Sequence, residues 1–449
     1  MRRRIPSLKP GLVVVGLALA AIISAGVATY VAHQRALSLP ARIEVSPASA
    51  RVFAGSAAPF TATLIGGDGK ILPSGSQPPP VQWSVVGLGS VSVDGVYTAP
   101  PQPGGTAIVV ARVGDVSRSV PVEISAPPGD VPLLLVACYE AKLLDVRTPP
   151  SLQRSGLLQG PELPAGMAVD PRRRLVFLAA KESVAAIDLA TMTVRESEPL
   201  RGTRFSGAAR LAGGLFAATD NNAAKGSPGV YFFRVDAAGR PVFAGSVAAG
   251  ETPEGLVAQP DGRTFYVTNV NSNELIRYEF DGRGHAQATG TVKTGTRPFG
   301  LAIDSARGLL FVTDNDTPYL SHERSRPGLE VFSIPSLRRV GAPISTGSKD
   351  ALPIGAAVDS GTGRLFVTNE GDADVVVYAL PSMHRVASLP TGKFPWTPRV
   401  DERNRRLYVP SAHDDVVDVF DTKTLRRVGA PVATCSYPTN VGIAPRRSP

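Results

Sequence analysis

From Leu133 to the end of the chain, short apolar runs alternate with polar turns in an order that repeats. Each repeat opens on a Pro-x-Gly-type tripeptide and passes into an A-[VI]-D segment. An L-[FY]-V-T-[ND] segment follows, then a polar turn and a further apolar run such as Val375-Val376-Val377-Tyr378. The opening tripeptides are Pro164-Ala165-Gly166, Phe205-Ser206-Gly207, Pro253-Glu254-Gly255, Pro298-Phe299-Gly300, Pro353-Ile354-Gly355, Pro395-Trp396-Thr397 and Pro438-Thr439-Asn440. They lie 41, 48, 45, 55, 42 and 43 residues apart. Apolar runs this short, punctuated by Gly, Pro, Asn and Asp, predict β-strands, about four to each repeat.

A repeat of that length and strand content predicts the blades of a β-propeller. The tripeptide at Pro438 is followed only by Val441-Gly442-Ile443-Ala444 before the chain ends. The first segments, Leu133 to Ala137 and Lys142 to Val146, have no opening strand of their own. Joined, the two ends make one more blade, so seven blades are expected over 133–445, closed by both termini. Such closure leaves no exposed sheet edge. Phe265-Tyr266-Val267-Thr268-Asn269, Leu310-Phe311-Val312-Thr313-Asp314 and Leu365-Phe366-Val367-Thr368-Asn369 resemble the YVTN-type repeat of seven-bladed propellers.

Residues 41–125 read differently. Ile43-Glu44-Val45, Pro59 to Leu64, Val81 to Val85, Thr106 to Val113 and Ser119 to Ile124 alternate with a period of two between Gly and Pro clusters. That pattern predicts a β-sandwich with Trp83 as its core aromatic. Val45-x-Pro47, the Trp83-Ser84 strand and Gly95-Val96-Tyr97-Thr98-Ala99-Pro100 resemble bacterial Ig-like domains, which implies a spacer or adhesion module. Residues 126–132, with Pro127-Pro128-Gly129, form a short linker.

Ahead of these regions, residues 11–32 are 22 consecutive uncharged residues. As a helix they reach about 33 Å, enough for a hydrocarbon core of roughly 30 Å. Arg2, Arg3, Arg4 and Lys9 precede them, so residues 1–10 are expected in the cytoplasm and the body across the membrane. The run is longer than a usual cleaved signal and favours a retained anchor, while the small residues Ser24-Ala25-Gly26 leave cleavage open. The expected location is a bacterial inner membrane, with a periplasmic or extracellular body.

Composition refines this picture little. The 449 residues include 45 Gly and 41 Pro, which suits a turn-rich all-β chain. The net charge is +9, but five basic and no acidic side chains lie within residues 1–40, leaving an ordinary balance beyond. Nucleic acid is therefore not an expected partner. The two cysteines, Cys138 and Cys435, fall on the same split blade, at the end of a V-T-N-type strand and three residues before Pro438. A disulfide between them is expected outside the cytoplasm.

No Walker loop, H-E-x-x-H or G-x-S-x-G motif occurs, and His33, His285, His322, His384 and His413 share no ligand spacing. No cofactor is expected. Asp220-Asn221-Asn222, Asp314-Asn315-Asp316, Asp372-Ala373-Asp374 and Asp414-Asp415 offer oxygens for Ca²⁺, but the same residues are common turn formers. The repeat register puts them on one face with the opening loops and with two insertions, Ala223 to Gly229 and Thr317 to Gly328. Insertions gathered on one face of a repeat scaffold mark a binding side. The candidate ligand-binding residues there are Arg297, Phe299, Lys349, Lys393, Trp396 and Tyr437, with Asn269, Asp314 and Asn369 as acceptors. Aromatics beside cations suit planar or anionic ligands.

The expected function is a non-catalytic, membrane-anchored binding protein. Its propeller face would hold an envelope protein, a glycan or a small ligand. The alternative, by likeness of fold alone, is a lactonase-like hydrolase or a cofactor-linked periplasmic redox subunit.

Overall fold

The computed structural model describes residues 40–72, 80–315 and 328–446. The expected membrane anchor, residues 11–32, and most of the Thr317–Gly328 insertion lie outside them. No helix among the described residues is long and apolar enough to cross a membrane. These residues form strands, turns and two short 3-10 turns.

The chain divides into two compact units. The smaller contains residues 60–97, 106–122 and the described residues before 50. In it Pro40–Ser46 pairs antiparallel with Thr61–Gly66, and Gln82–Gly87 with Thr106–Val113. Ile43, Val45, Val109 and Ala111 turn inward from these alternating strands. Trp83 is only half-buried, against the expectation. Its ring lies over Gly95, where a Cβ would come within 2.7 Å of Trp83 Cε2, and Gly95 has a φ of +82°. Tyr97 and Phe60 are the fully buried aromatics there, and the Tyr97 hydroxyl donates to the Leu88 carbonyl at 2.8 Å.

The larger unit holds residues 50–59, 98–105 and 123 onward. Part of the segment expected to belong to the sandwich therefore sits here. Ala50–Phe53 runs parallel to Gln153–Gln159 with Val52 opposite Leu157. Phe53 packs into a core with Leu135, Leu144 and Leu178, and Gly156 supplies the room for its ring.

The rest of this unit is a succession of antiparallel sheets, most with four strands in chain order. The first comprises Met167–Asp170, Leu175–Ala179, Val184–Asp188 and Thr193–Glu196. Sheets opening on Phe205–Arg210, Pro253–Ala258, Pro298–Asp304, Pro353–Asp359 and Arg399–Asp401 follow. The last strand, Pro438–Ala444, pairs with Leu133–Cys138, which continues into Leu143–Thr148 and Gln153–Gln159. Second strands such as Thr264–Asn269 are covered on both faces, so they read as unbroken apolar runs. Fourth strands such as Ala286–Lys293 are largely exposed and polar.

Candidate functional site

The recurring threonine and glycine of the repeat do a common job. The Thr268 hydroxyl accepts the Gly255 N–H at 2.9 Å and donates to the carbonyl of Phe299, in the next sheet, at 2.7 Å. Thr219 does the same between Gly207 and the Glu254 carbonyl, at 2.8 Å in each bond. Thr313 takes the Gly300 N–H at 2.8 Å. The glycine is required by this closeness: a Cβ on Gly255 would stand 2.2 Å from the Phe299 oxygen, and one on Gly207 2.4 Å from the Glu254 oxygen. The tripeptide backbones at Gly207, Gly255, Gly300 and Gly355 are thus fixed by their neighbours, which leaves the middle residue to border the cavity.

All seven middle side chains meet in one cavity of about 1070 Å³. Phe299, Ile354 and Trp396 form one side of its wall, and Thr439, Ala165, Ser206 and Glu254 the other. Of the sequence candidates, the structure brings Arg297, Phe299, Trp396 and Tyr437 to this wall. Phe299 and Trp396 meet edge to face, with ring centroids 6.2 Å apart at 75°. Tyr437 lies 6.0 Å from Tyr139, whose hydroxyl accepts a hydrogen bond from Arg204. Lys349 and Lys393 do not reach the cavity. Lys349 is exposed and 3.9 Å from Asp350. Lys393 is exposed, and its backbone N–H donates to Asp414.

The proposed acceptors have a different place. Asn269 and Asn369 are 0% exposed. Asn269 accepts the Gly250 N–H at 2.9 Å and donates to the Glu274 carbonyl. Asn369 donates to the Thr346 carbonyl and to Asp374. Asp314 is buried where Gly295 passes it, and Glu330 takes the Gly295 N–H at 2.8 Å. These side chains pin the loops that precede the tripeptides and do not line the cavity. In the split sheet the pin is covalent. Cys138 occupies the asparagine's place and is bonded to Cys435, with Cα atoms 5.8 Å apart.

The acid–amide clusters are likewise spent on turns. Asp220 accepts the backbone N–H groups of Arg204 and Asn222. Asp415 accepts that of Tyr437 at 2.8 Å, and Asp372 those of the Ser348 backbone and hydroxyl. Among the described residues no group of three His, Cys, Asp or Glu side chains is placed to hold a metal ion.

Electrostatics single out residues that sequence reasoning missed. Glu254 remains partly accessible through the cavity, yet protein surrounds its carboxyl, and burial pushes its pKa above the ordinary range. Hydrogen bonds from Asn221, at 3.1 Å, and Ser206 and the charge of Arg204 offset this only in part. Arg399 reaches across the seam to the Met167 carbonyl at 3.3 Å, and burial lowers its pKa. Burial also raises the Tyr437 hydroxyl, and the charges of Glu370 and Glu140 add to it. Glu370, beside that wall, is pushed up to about 7 by burial alone. The signal for Glu254 was present in the sequence, as the one acidic middle residue among the tripeptides. Tyr139, Arg204 and Glu370 carry no pattern of their own.

No protein-family model matches this chain, and no curated protein sequence does. Solved structures do resemble it. One is a Bacteroides fragilis protein assigned provisionally as a 6-phosphogluconolactonase, at 13% identity and a TM-score of 0.58. It aligns over 70% of this chain and 98% of its own. The periplasmic gluconolactonase of Pseudomonas aeruginosa aligns at 14% identity and 0.56, over 70% and 99%. A Lactobacillus plantarum protein aligns at 14% and 0.58, over 69% and 98%. The larger unit is a β-propeller. At these identities the likeness is one of fold, and the activity has to be argued from the cavity of this propeller.

Proposed function

We propose that this protein is a lactone hydrolase whose site is the propeller cavity, with Glu254 as general base. The observation that carries the reading is a desolvated carboxyl on a cavity wall, oriented by Asn221 and faced by the charge of Arg204. A raised carboxyl pKa brings a base toward the pH at which it works. In the reaction Glu254 takes a proton from a water as that water's oxygen bonds to the lactone carbonyl carbon. The carbonyl oxygen becomes an oxyanion, which the Arg204 guanidinium stabilises. The tetrahedral carbon then expels the ring oxygen, which receives the proton from Glu254, and the hydroxy acid releases its own proton to solvent. The fold shared with a periplasmic gluconolactonase supports this reading over a purely binding role.

The same proposal includes the setting. The seven sheets form a closed ring of YVTN-type blades sealed by both termini, carried on an Ig-like module and held outside the cytoplasm by residues 11–32. The pairing of Leu133 with Ala444 supports the seal.

The test is hydrolysis of glucono-δ-lactone and δ-valerolactone, followed by proton release. Wild-type turnover that falls at least a hundredfold in Glu254→Gln supports the reading. Binding of a lactone without turnover makes the protein a receptor instead.

A further inference from the structure

The cavity is larger than its chemistry needs. At about 1070 Å³ it stands at the upper end for small-molecule sites, and a lone six-membered lactone would fill a small part of it. Its wall is also divided. Phe299, Ile354, Trp396, Tyr437 and Tyr139 supply an aromatic and aliphatic part, with Arg297 and Arg399 beside it. Glu254, Ser206, Asn221 and Thr439 supply a polar part of the wall, with the carboxyl and its donor.

The aromatic arc is built to stay in place. Phe299 and Trp396 are each fixed by a proline before them and by their edge-to-face contact. Tyr437 is held through its N–H on Asp415, and through its carbonyl, which accepts the Tyr139 N–H at 3.0 Å. Phe299, Trp396 and Tyr437 stay half-buried and border the cavity, so a flat apolar group can cover them and release poorly bound water. Sugar hydroxyls laid flat on the Phe299 and Trp396 rings would lose hydrogen bonds to water that those ring faces cannot replace.

We propose that the substrate is a lactone carrying an aromatic ring. The ring lies on the Phe299–Trp396–Tyr437 arc, and the carbonyl carbon faces Glu254. This rests on the reading of the cavity as a lactone-hydrolysing site, and it predicts that plain sugar lactones are the poorer substrates.

The test compares isochroman-3-one, a six-membered lactone fused to benzene, with δ-valerolactone, the same ring without the arene. The kcat/KM ratio of the purified protein is divided by the ratio of the two hydroxide-catalysed rates. A corrected ratio of tenfold or more that shrinks toward one in Phe299→Ala and Trp396→Ala supports the proposal. A corrected ratio near one, with both lactones turned over, overturns it and leaves the role of Glu254 standing. If neither is hydrolysed, the hydrolase reading falls, and the arc is tested by binding alone. The chain has two tryptophans, so quenching by isochroman-3-one is measured in wild type and in Trp396→Phe. Saturable quenching that disappears in Trp396→Phe supports an arene site. Quenching that is absent, or unchanged by that substitution, overturns it.

Discussion

Thr268 Oγ1 stands between two sheets, 2.9 Å from the Gly255 nitrogen of its own and 2.7 Å from the Phe299 oxygen of the next. One hydroxyl therefore sets the height of Phe299 on the cavity wall. Thr268→Val keeps the shape and removes both bonds, leaving a donor and an acceptor partly buried. A loss of about 1–3 kcal/mol is expected in urea unfolding. The same variant should weaken ligand binding more than its stability loss explains, measured where the protein is fully folded.

Reduction of Cys138–Cys435 should loosen the neighbourhood of Tyr139 and Tyr437 first. The bond closes a loop with a sequence separation of 297, for which the chain-entropy model gives up to about 6 kcal/mol. The paired strands from Leu133↔Ala444 to Val136↔Val441 remain to hold the seam. The expected outcome is a lower Tm in dithiothreitol, with the earliest gain in amide exchange at residues 434–437. An unchanged Tm would show that the seam needs no staple.

Glu370 makes stability depend on pH. Its folded pKa of about 7 lies above the unfolded value, so the native state holds the extra proton between them. Stability is full below the unfolded carboxylate range and is lost as pH rises through about 7. At about 1.4 kcal/mol per pKa unit, discounted for the carboxyl's partial exposure, the loss is on the order of 1–2 kcal/mol. Glu370→Gln should abolish that slope. Its Tm should exceed that of wild type at pH 8 and match it at pH 4.

Arg399 lines the cavity and donates a long bond, 3.3 Å, to the Met167 carbonyl. Arg399→Met keeps much of the stem and removes a charge held away from water. Stability should change by less than about 1 kcal/mol or rise slightly, since a buried charge without close pairing contributes little. A loss of 3 kcal/mol or more on thermal unfolding would mean that the seam depends on the charge.

The strands were legible because every sheet has to solve one packing problem with the same residues. Thr268, Thr313 and Thr368 recur because each fixes a glycine N–H, and that chemistry repeats in the sequence. The site was legible where a residue broke the repeat conspicuously, as Phe299 and Trp396 do. It was harder to place where one residue type serves two ends. Asn269 and Asn369 have the amides a ligand could use, and only the fold shows those amides closed on Gly250 and Thr346. Glu254 was hidden because its tripeptide read as scaffold. Trp83 was placed too deep because its size suggested a core that Tyr97 fills.

The disulfide also decides how the molecule would carry load. A pull on the two ends of the chain travels along the backbone to Cys138, crosses the sulfur bridge to Cys435 and leaves again. The sequence between them, with a separation of 297, is a slack loop that bears no tension. At about 3.5 Å per residue, roughly 1000 Å of contour stays locked away from any such pull while the bridge is intact. Most of the strands that build the cavity are inside that loop. A pull that frees the outer strand Pro438–Ala444 strips Tyr437 and Thr439 from the wall, yet the strands between the two cysteines stay locked, whereas in the reduced protein the same force reaches them as well.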